Sequence, residues 1–168
     1  MTNIYARNAQ DRLTLGELDL YHRIMAYRAE EGLDAIPLSA ALTTTAGRHV
    51  ADTRDNIWGG NGMPDGANLH SWSDAPYFPD HRAPEAMWEA PARLGTGYEG
   101  AGYEITAAGM ATPQAALDIW KGSEPHDEVL TNSGNWSGLE FQAIGIGFDV
   151  SPGPGPYAGR GFHVWFGT

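Results

Sequence analysis

The chain has 168 residues, 42% of them apolar and 18% charged, with six Trp, seven Tyr and five Phe. That length suits one domain spanning residues 1–168, and the apolar and aromatic content excludes disorder, which pairs low hydrophobicity with high net charge. Ten basic against 21 acidic residues leave a formal charge of −11, and there is no cysteine; nucleic acid is an unfavourable partner, and disulfides, thiolate nucleophiles and Cys-based zinc sites are excluded.

No run of 18 apolar residues occurs, so no membrane span is expected, and Met1–Arg12 lacks the apolar stretch of a signal peptide. Such a start fits a cytosolic protein, a domain of a longer chain, or secretion directed by a signal elsewhere in that chain.

Thr14 caps a first helix, with Glu17 closing a capping box and Leu13 and Leu18 placed as a hydrophobic staple. Leu18, Tyr21, Met25 and Ala29 recur at helical spacing, with Leu20, Ile24 and Tyr27 widening the stripe, until Gly32 ends it. After Pro37, Ser39 caps a second helix in which Leu38, Leu42, Ala46, His49 and Val50 share a face through about Asp55. Residues 58–97 are rich in Gly, Pro, Asn and Asp and read as a long irregular excursion with one short helix at Pro84–Glu89.

Gly102–Ala107 reads as a strand, and Thr112-Pro113 opens a helix carrying Ala115, Ala116, Ile119 and Trp120. Phe141–Val150 and Arg160–Phe166 read as two closing strands around a Pro-Gly-rich connection, Ser151–Pro156. Leu18, Tyr21, Leu42, Ala46, Ile119 and Trp120 are expected in the core between helices and sheet.

This order resembles that of the CAP superfamily, the family of cysteine-rich secretory proteins, antigen 5 and plant pathogenesis-related proteins, in its cysteine-free bacterial form. The residues that carry the resemblance are Arg28 before Gly32-Leu33; Pro37-Leu38 with Leu42-Thr43, Ala46, His49 and Asp52; His70-Ser71; Trp120-Lys-Gly-Ser123-Glu-Pro-His126; Ile144-Gly-Ile-Gly147; and Trp165-Phe166-Gly167. The resemblance implies an α/β fold, a three-layer α-β-α sandwich with a mostly antiparallel sheet, and an extracellular binding or interaction module with a His-lined cleft. It also implies secretion and a partner that is a small molecule, a lipid or sterol, or a protein. Two departures stand out. Met25 replaces an Asn of the first helix, and Gly102-Tyr103-Glu104-Ile105 puts Tyr103 where the family has a cleft Glu, so that strand alternation turns Glu104 to the other face unless a bulge intervenes.

By that resemblance His70 and His126 are the candidate metal ligands, for zinc or another weakly bound divalent cation, with Glu104, Glu124 and Tyr103 as further cleft residues. Two imidazoles alone fall short of the three or four protein ligands of ordinary zinc sites, and only Glu104, Glu124 or Asp127 could raise the count. His49, on an apolar stripe, reads as a core histidine; His22, His81 and His163 have no partner at ligand spacing. Trp58, Trp72, Trp88 and Trp136 read as residues that pin loops to the core, or else as the lining of a ligand groove. Gly59-Gly60-Asn61-Gly62 reads as a turn, although Asp65 and Asn68 beside it are of calcium-ligand type.

His-Glu-x-x-His, Gly-x-Ser-x-Gly and phosphate-loop signatures are absent, which removes the common hydrolases and nucleotide enzymes. A metal-assisted hydrolase using the same cleft and an inert spacer in a larger secreted protein stand as the alternatives.

Overall fold

A computed structural model describes all 168 residues. It has six α-helices: α1 (Leu15–Glu30), α2 (Ala40–Ala51), α3 (Glu85–Trp88), α4 (Ala90–Arg93), α5 (Pro113–Lys121) and α6 (Glu124–Thr131). Its three strands are β1 (Gly102–Ala108), β2 (Ala143–Asp149) and β3 (Gly161–Gly167). The strands form one antiparallel sheet in the order β1-β3-β2, with Glu104 opposite Trp165 and Gly145 opposite Trp165 on the other side. No helix is long and apolar enough to cross a membrane.

Strand alternation gives the sheet two apolar faces. On one, Ile105, Ala107, Ile144, Ile146, Phe162, Val164 and Phe166 meet Leu20, Ile24 and Tyr27 of α1, Ala116, Leu117 and Trp120 of α5, and Val129 and Leu130 of α6. On the other, Ala143 and Trp165 meet Leu42 and Ala46 of α2 and, from the excursion, Trp72, Tyr77, Ala86, Met87, Ala90 and Leu94. The result is an α-β-α sandwich in which the excursion is packed as part of one layer. α2 lies very close to β2: a Cβ on Gly145 would collide with the Leu42 backbone, and one on Gly147 with that of Ala46. Glycine at these two positions lets the helix backbone touch the sheet.

The capping box of α1 is present. Thr14 Oγ1 accepts from the Glu17 N–H (3.2 Å), and Glu17 Oε2 accepts from the Thr14 N–H (2.6 Å). Glu17 is buried as well, its Oε1 accepting from the Phe148 N–H of β2 (3.1 Å), so the cap also fastens α1 to the sheet. Thr14→Ala should therefore cost about 1 kcal/mol, read as a lowered urea midpoint with an unchanged m-value; an unaltered midpoint would show that the cap does not hold this helix.

Several expectations need correction. The buried stripe of α1 is Leu20, Ile24 and Tyr27, while Leu18 and Tyr21 are only half-buried and Leu13 is exposed, so the cap rather than the staple fixes the helix start. Ile119 is 49% exposed, because the inner face of α5 is taken by Ala116, Leu117 and Trp120. α2 ends at Ala51 and continues as a π-helical segment, Asp52–Asn61, which absorbs the Gly59–Asn61 part of the expected turn. The excursion holds two short helices rather than one. α6 is an addition to the expected elements, with Pro125 in its first turn, where proline is tolerated.

Candidate functional site

Glu104 sits at the centre of a buried polar cluster. It lies on the α2-facing side of β1, opposite in direction to Tyr103, which packs edge-on against Trp136 (ring centroids 5.2 Å apart) on the other face. No bulge interrupts the β1 register. Three imidazoles converge on the Glu104 carboxylate: His49 Nδ1 (2.6 Å) and His163 Nδ1 (2.8 Å) at Oε1, and His70 Nδ1 (2.8 Å) at Oε2. A protonated carboxyl could serve at most one of them as donor, whereas a carboxylate accepts from all three.

The other ring nitrogens fix the charge states. His49 Nε2 faces the Ser71 carbonyl (3.0 Å), which only accepts, so that nitrogen carries a proton as well. With both nitrogens donating, His49 is an imidazolium paired with an ionised Glu104. His163 Nε2 meets the Thr53 hydroxyl (3.2 Å), an arrangement suited to a neutral ring.

The electrostatics agree with this assignment. Burial works against a charged His49, but the Glu104 carboxylate outweighs it and raises the His49 pKa. Burial likewise works against ionised Glu104, and His49 and His163 hold its pKa well below the usual range. His163 is pushed down to about 4 by burial and by the neighbouring His49 charge. Trp72 stacks on the His49 ring (centroids 4.0 Å apart, planes at 10°), and Trp165 stands at 5.9 Å.

The excursion is anchored to the same spot. Asp52, fully buried where the π-helical segment begins, accepts from the Ser73 N–H and hydroxyl and from Asn56 Nδ2, each at 2.6 Å. Ser71 Oγ in turn accepts from the Tyr77 N–H (2.9 Å). These bonds hold residues 70–77 against α2, and with them His70 over the outer edge of β1.

His70 and His126 line one cleft, a cavity of about 480 Å³ whose walls also include His81, Met87, Trp88, Glu128 and Trp136. His70 is fixed through Nδ1 by Glu104, and His126, in the first turn of α6, through Nδ1 by the Ser123 hydroxyl (2.7 Å). Neither Nε2 has a protein partner. Burial and the proximity of His70 lower the His126 pKa, which keeps that ring neutral and able to coordinate.

The remaining candidates fall elsewhere. Glu124 is exposed at the start of α6 and does not line the cleft, and Asp127 is occupied as acceptor of the Tyr27 hydroxyl (2.6 Å). Asn68 Oδ1 accepts from the His70 N–H (3.1 Å), and no carboxylate cluster forms around Asp65. His163, expected to be without a partner, belongs to the Glu104 cluster, and His81 lines the cleft mouth.

One ligand atom each from His49, Glu104 and His163 lies within 4.8 Å of the others, a group that could hold a metal ion. Their separations of 2.6 and 2.8 Å are those of direct hydrogen bonds.

Fold and site together define an α/β sandwich whose imidazole-lined cleft opens beside an edge strand. No protein-family model and no curated protein matches the chain. Among solved structures, an outer surface protein from Borrelia burgdorferi is similar, with a TM-score of 0.59 and 18% identity over 94% of this chain and 96% of that one. At that identity the likeness concerns the fold.

Proposed function

We propose that the chain is an extracellular binding module of CAP type whose cleft takes zinc or a similar divalent cation weakly through His70 and His126. One observation carries the reading: both imidazoles share a cavity, each is anchored at Nδ1, and each leaves Nε2 without a protein partner. An Nδ1 bond to a carboxylate or hydroxyl is the usual support of a metal-ligating imidazole, fixing its tautomer and orientation. The extracellular placement is supported by the fold shared with an outer surface protein.

Two ligands favour weak, reversible binding, since structural zinc takes four protein ligands and catalytic zinc three. The hydrolase alternative needs a free carboxylate base; Glu104 already accepts from three imidazoles and Glu124 lies outside the cleft, which leaves that alternative Glu128 of the cleft wall. Calorimetric titration with zinc should show binding at pH 7.5 that weakens by pH 5.5, because protons compete with the ion for the imidazole nitrogens. His70→Ala or His126→Ala should each lower the affinity about tenfold or more, a loss of roughly 1.4 kcal/mol. Wild-type affinity in both variants would remove the cleft from consideration as the metal site; peptide or ester turnover lost with either histidine would favour the hydrolase.

A further inference from the structure

The two edges of the sheet are treated differently. The outer edge of β2 is covered, because Ile144 N–H donates to the Pro37 carbonyl (2.9 Å) and Ser39 N–H to the Ile144 carbonyl (2.8 Å). β1 pairs with β3 alone. The bonds at the strand ends, Thr168 N–H to the Ala101 carbonyl and Gly109 N–H to the Arg160 carbonyl, show that odd-numbered residues of β1 face β3. By alternation, Glu104, Thr106 and Ala108 turn their backbone groups outward. Of these groups only the Thr106 carbonyl has a partner, the Trp120 indole N–H (2.8 Å).

This edge is the floor of a groove. Tyr103, Glu104 and Ile105 line the histidine cleft, and Thr106, Ala107 and Ala108 line an adjoining cavity of about 360 Å³ that shares His70 and His126 with it. Six consecutive strand residues correspond to roughly 20 Å of open edge. One wall comes from the excursion, with Leu69, Met87 and Trp88; the other comes from α5 and α6, with Ile119 and Val129, and from Trp136 beyond them. Ile119 and Trp88, two of the few large apolar side chains left in solvent, both stand on this groove. Neither cavity is lined by a Lys or Arg, and the chain carries a net charge of −11.

We infer that this groove binds an extended, net-basic peptide segment that adds to β1 as a fourth strand, its apolar side chains alternating between the two walls. The outward N–H groups of Glu104, Thr106 and Ala108 and the carbonyls of Glu104 and Ala108 supply the backbone ladder, and the walls supply side-chain pockets, as in other strand-addition sites. Because the edge lies between walls, a single extended segment reaches it while the edge of a second folded sheet does not. Charge complementarity selects against acidic segments. The inference goes beyond cation binding and does not depend on an ion.

The test is a positional-scanning library of end-capped octapeptides, measured by fluorescence anisotropy in EDTA so that failure of the metal reading leaves the result unaffected. Peptides with apolar residues at alternate positions and a Lys or Arg are expected to bind. N-methylation of the selected peptide at one parity of residues should weaken binding about tenfold, the equivalent of one lost hydrogen bond, and at the other parity should leave it unchanged. Bound peptide should also protect the Glu104, Thr106 and Ala108 amides from hydrogen exchange. Thr106→Pro, which removes an outward N–H and leaves the β1–β3 ladder donors in place, should weaken binding similarly; should that variant fail to fold, the N-methyl series on the wild type decides alone. Absence of any binder tighter than about 1 mM, insensitivity to N-methyl parity, selection of acidic peptides, or a dimer in sedimentation protected at the same three amides would each overturn the inference.

Discussion

Glu104→Ala is expected to destabilise the protein by about 3 to 5 kcal/mol, the range for removing one partner of a buried ion pair. The variant leaves the His49 imidazolium without its counter-charge and takes the acceptor from His163 and His70 as well. The loss should exceed that of Glu104→Gln, because an amide can donate to a neutral His49 and still accept from one other ring once the tautomers rearrange. Urea denaturation of the two variants measures the difference. A cost below about 1 kcal/mol for alanine would mean that the cluster is solvated rather than sealed. The alanine variant should also weaken zinc binding at the cleft, since His70 loses the bond that fixes its ring.

Acidification from pH 7 to 4 should remove about 3 kcal/mol of stability through His163 alone. Its folded pKa is about 4, against about 6.5 in an unfolded chain, and each unit is worth roughly 1.4 kcal/mol. The folded state holds this ring neutral while the unfolded state binds a proton, so the contribution is complete above pH 6.5 and disappears as pH falls to about 4. His126, lowered in the same direction, adds to the loss, and so does Glu104 once unfolded carboxyls begin to protonate. His49 acts in the opposite sense: its raised pKa gives stability that is fully present below pH 6.5 and is lost only as pH rises through the folded value. Chemical denaturation at pH 7, 5.5 and 4 should show a steep decline in the wild type and a shallower one in His163→Gln. Equal slopes would show that His163 is not the titrating group.

The parts of the fold that a sequence displays most clearly are those governed by local periodicity. The Thr14–Glu17 box, the Ser39 cap and the Thr112-Pro113 start all mark helices that are present. α6 escapes such a reading because eight residues beginning Glu-Pro carry too little apolar pattern to separate from a loop. Ile119 is misplaced by it because a nine-residue helix leaves two phases for its stripe, and only packing against Phe162 decides that Trp120 points inward.

The site is legible in fragments. His70 and His126 stand in a recognisable pattern, whereas the Glu104 cluster draws on α2, β1 and β3, separated by 55 and 59 residues of sequence. A signal exists in the alternation of β3, which puts His163 and Trp165 together on the face that meets α2. A polar ring there requires a buried partner, and His49 is the polar residue on the apolar stripe opposite. Nothing local indicates that Glu104 serves both rings and His70 besides.

The unequal sheet edges also bear on self-assembly. A fibril grows when each added chain presents a fresh pairing surface to the next, which requires two open edges per copy. Here residues 37–39 seal one side through the Ile144 bonds. Native copies therefore cannot propagate a continuous ladder in either direction: the segment ahead of α2 seals the β2 side, and the β1 side, set between its walls, is out of reach of a second folded sheet. The short stretch from Pro37 to Ser39 thus acts as a chain terminator: with it in place, a segment added at β1 extends the sheet by one strand and no further.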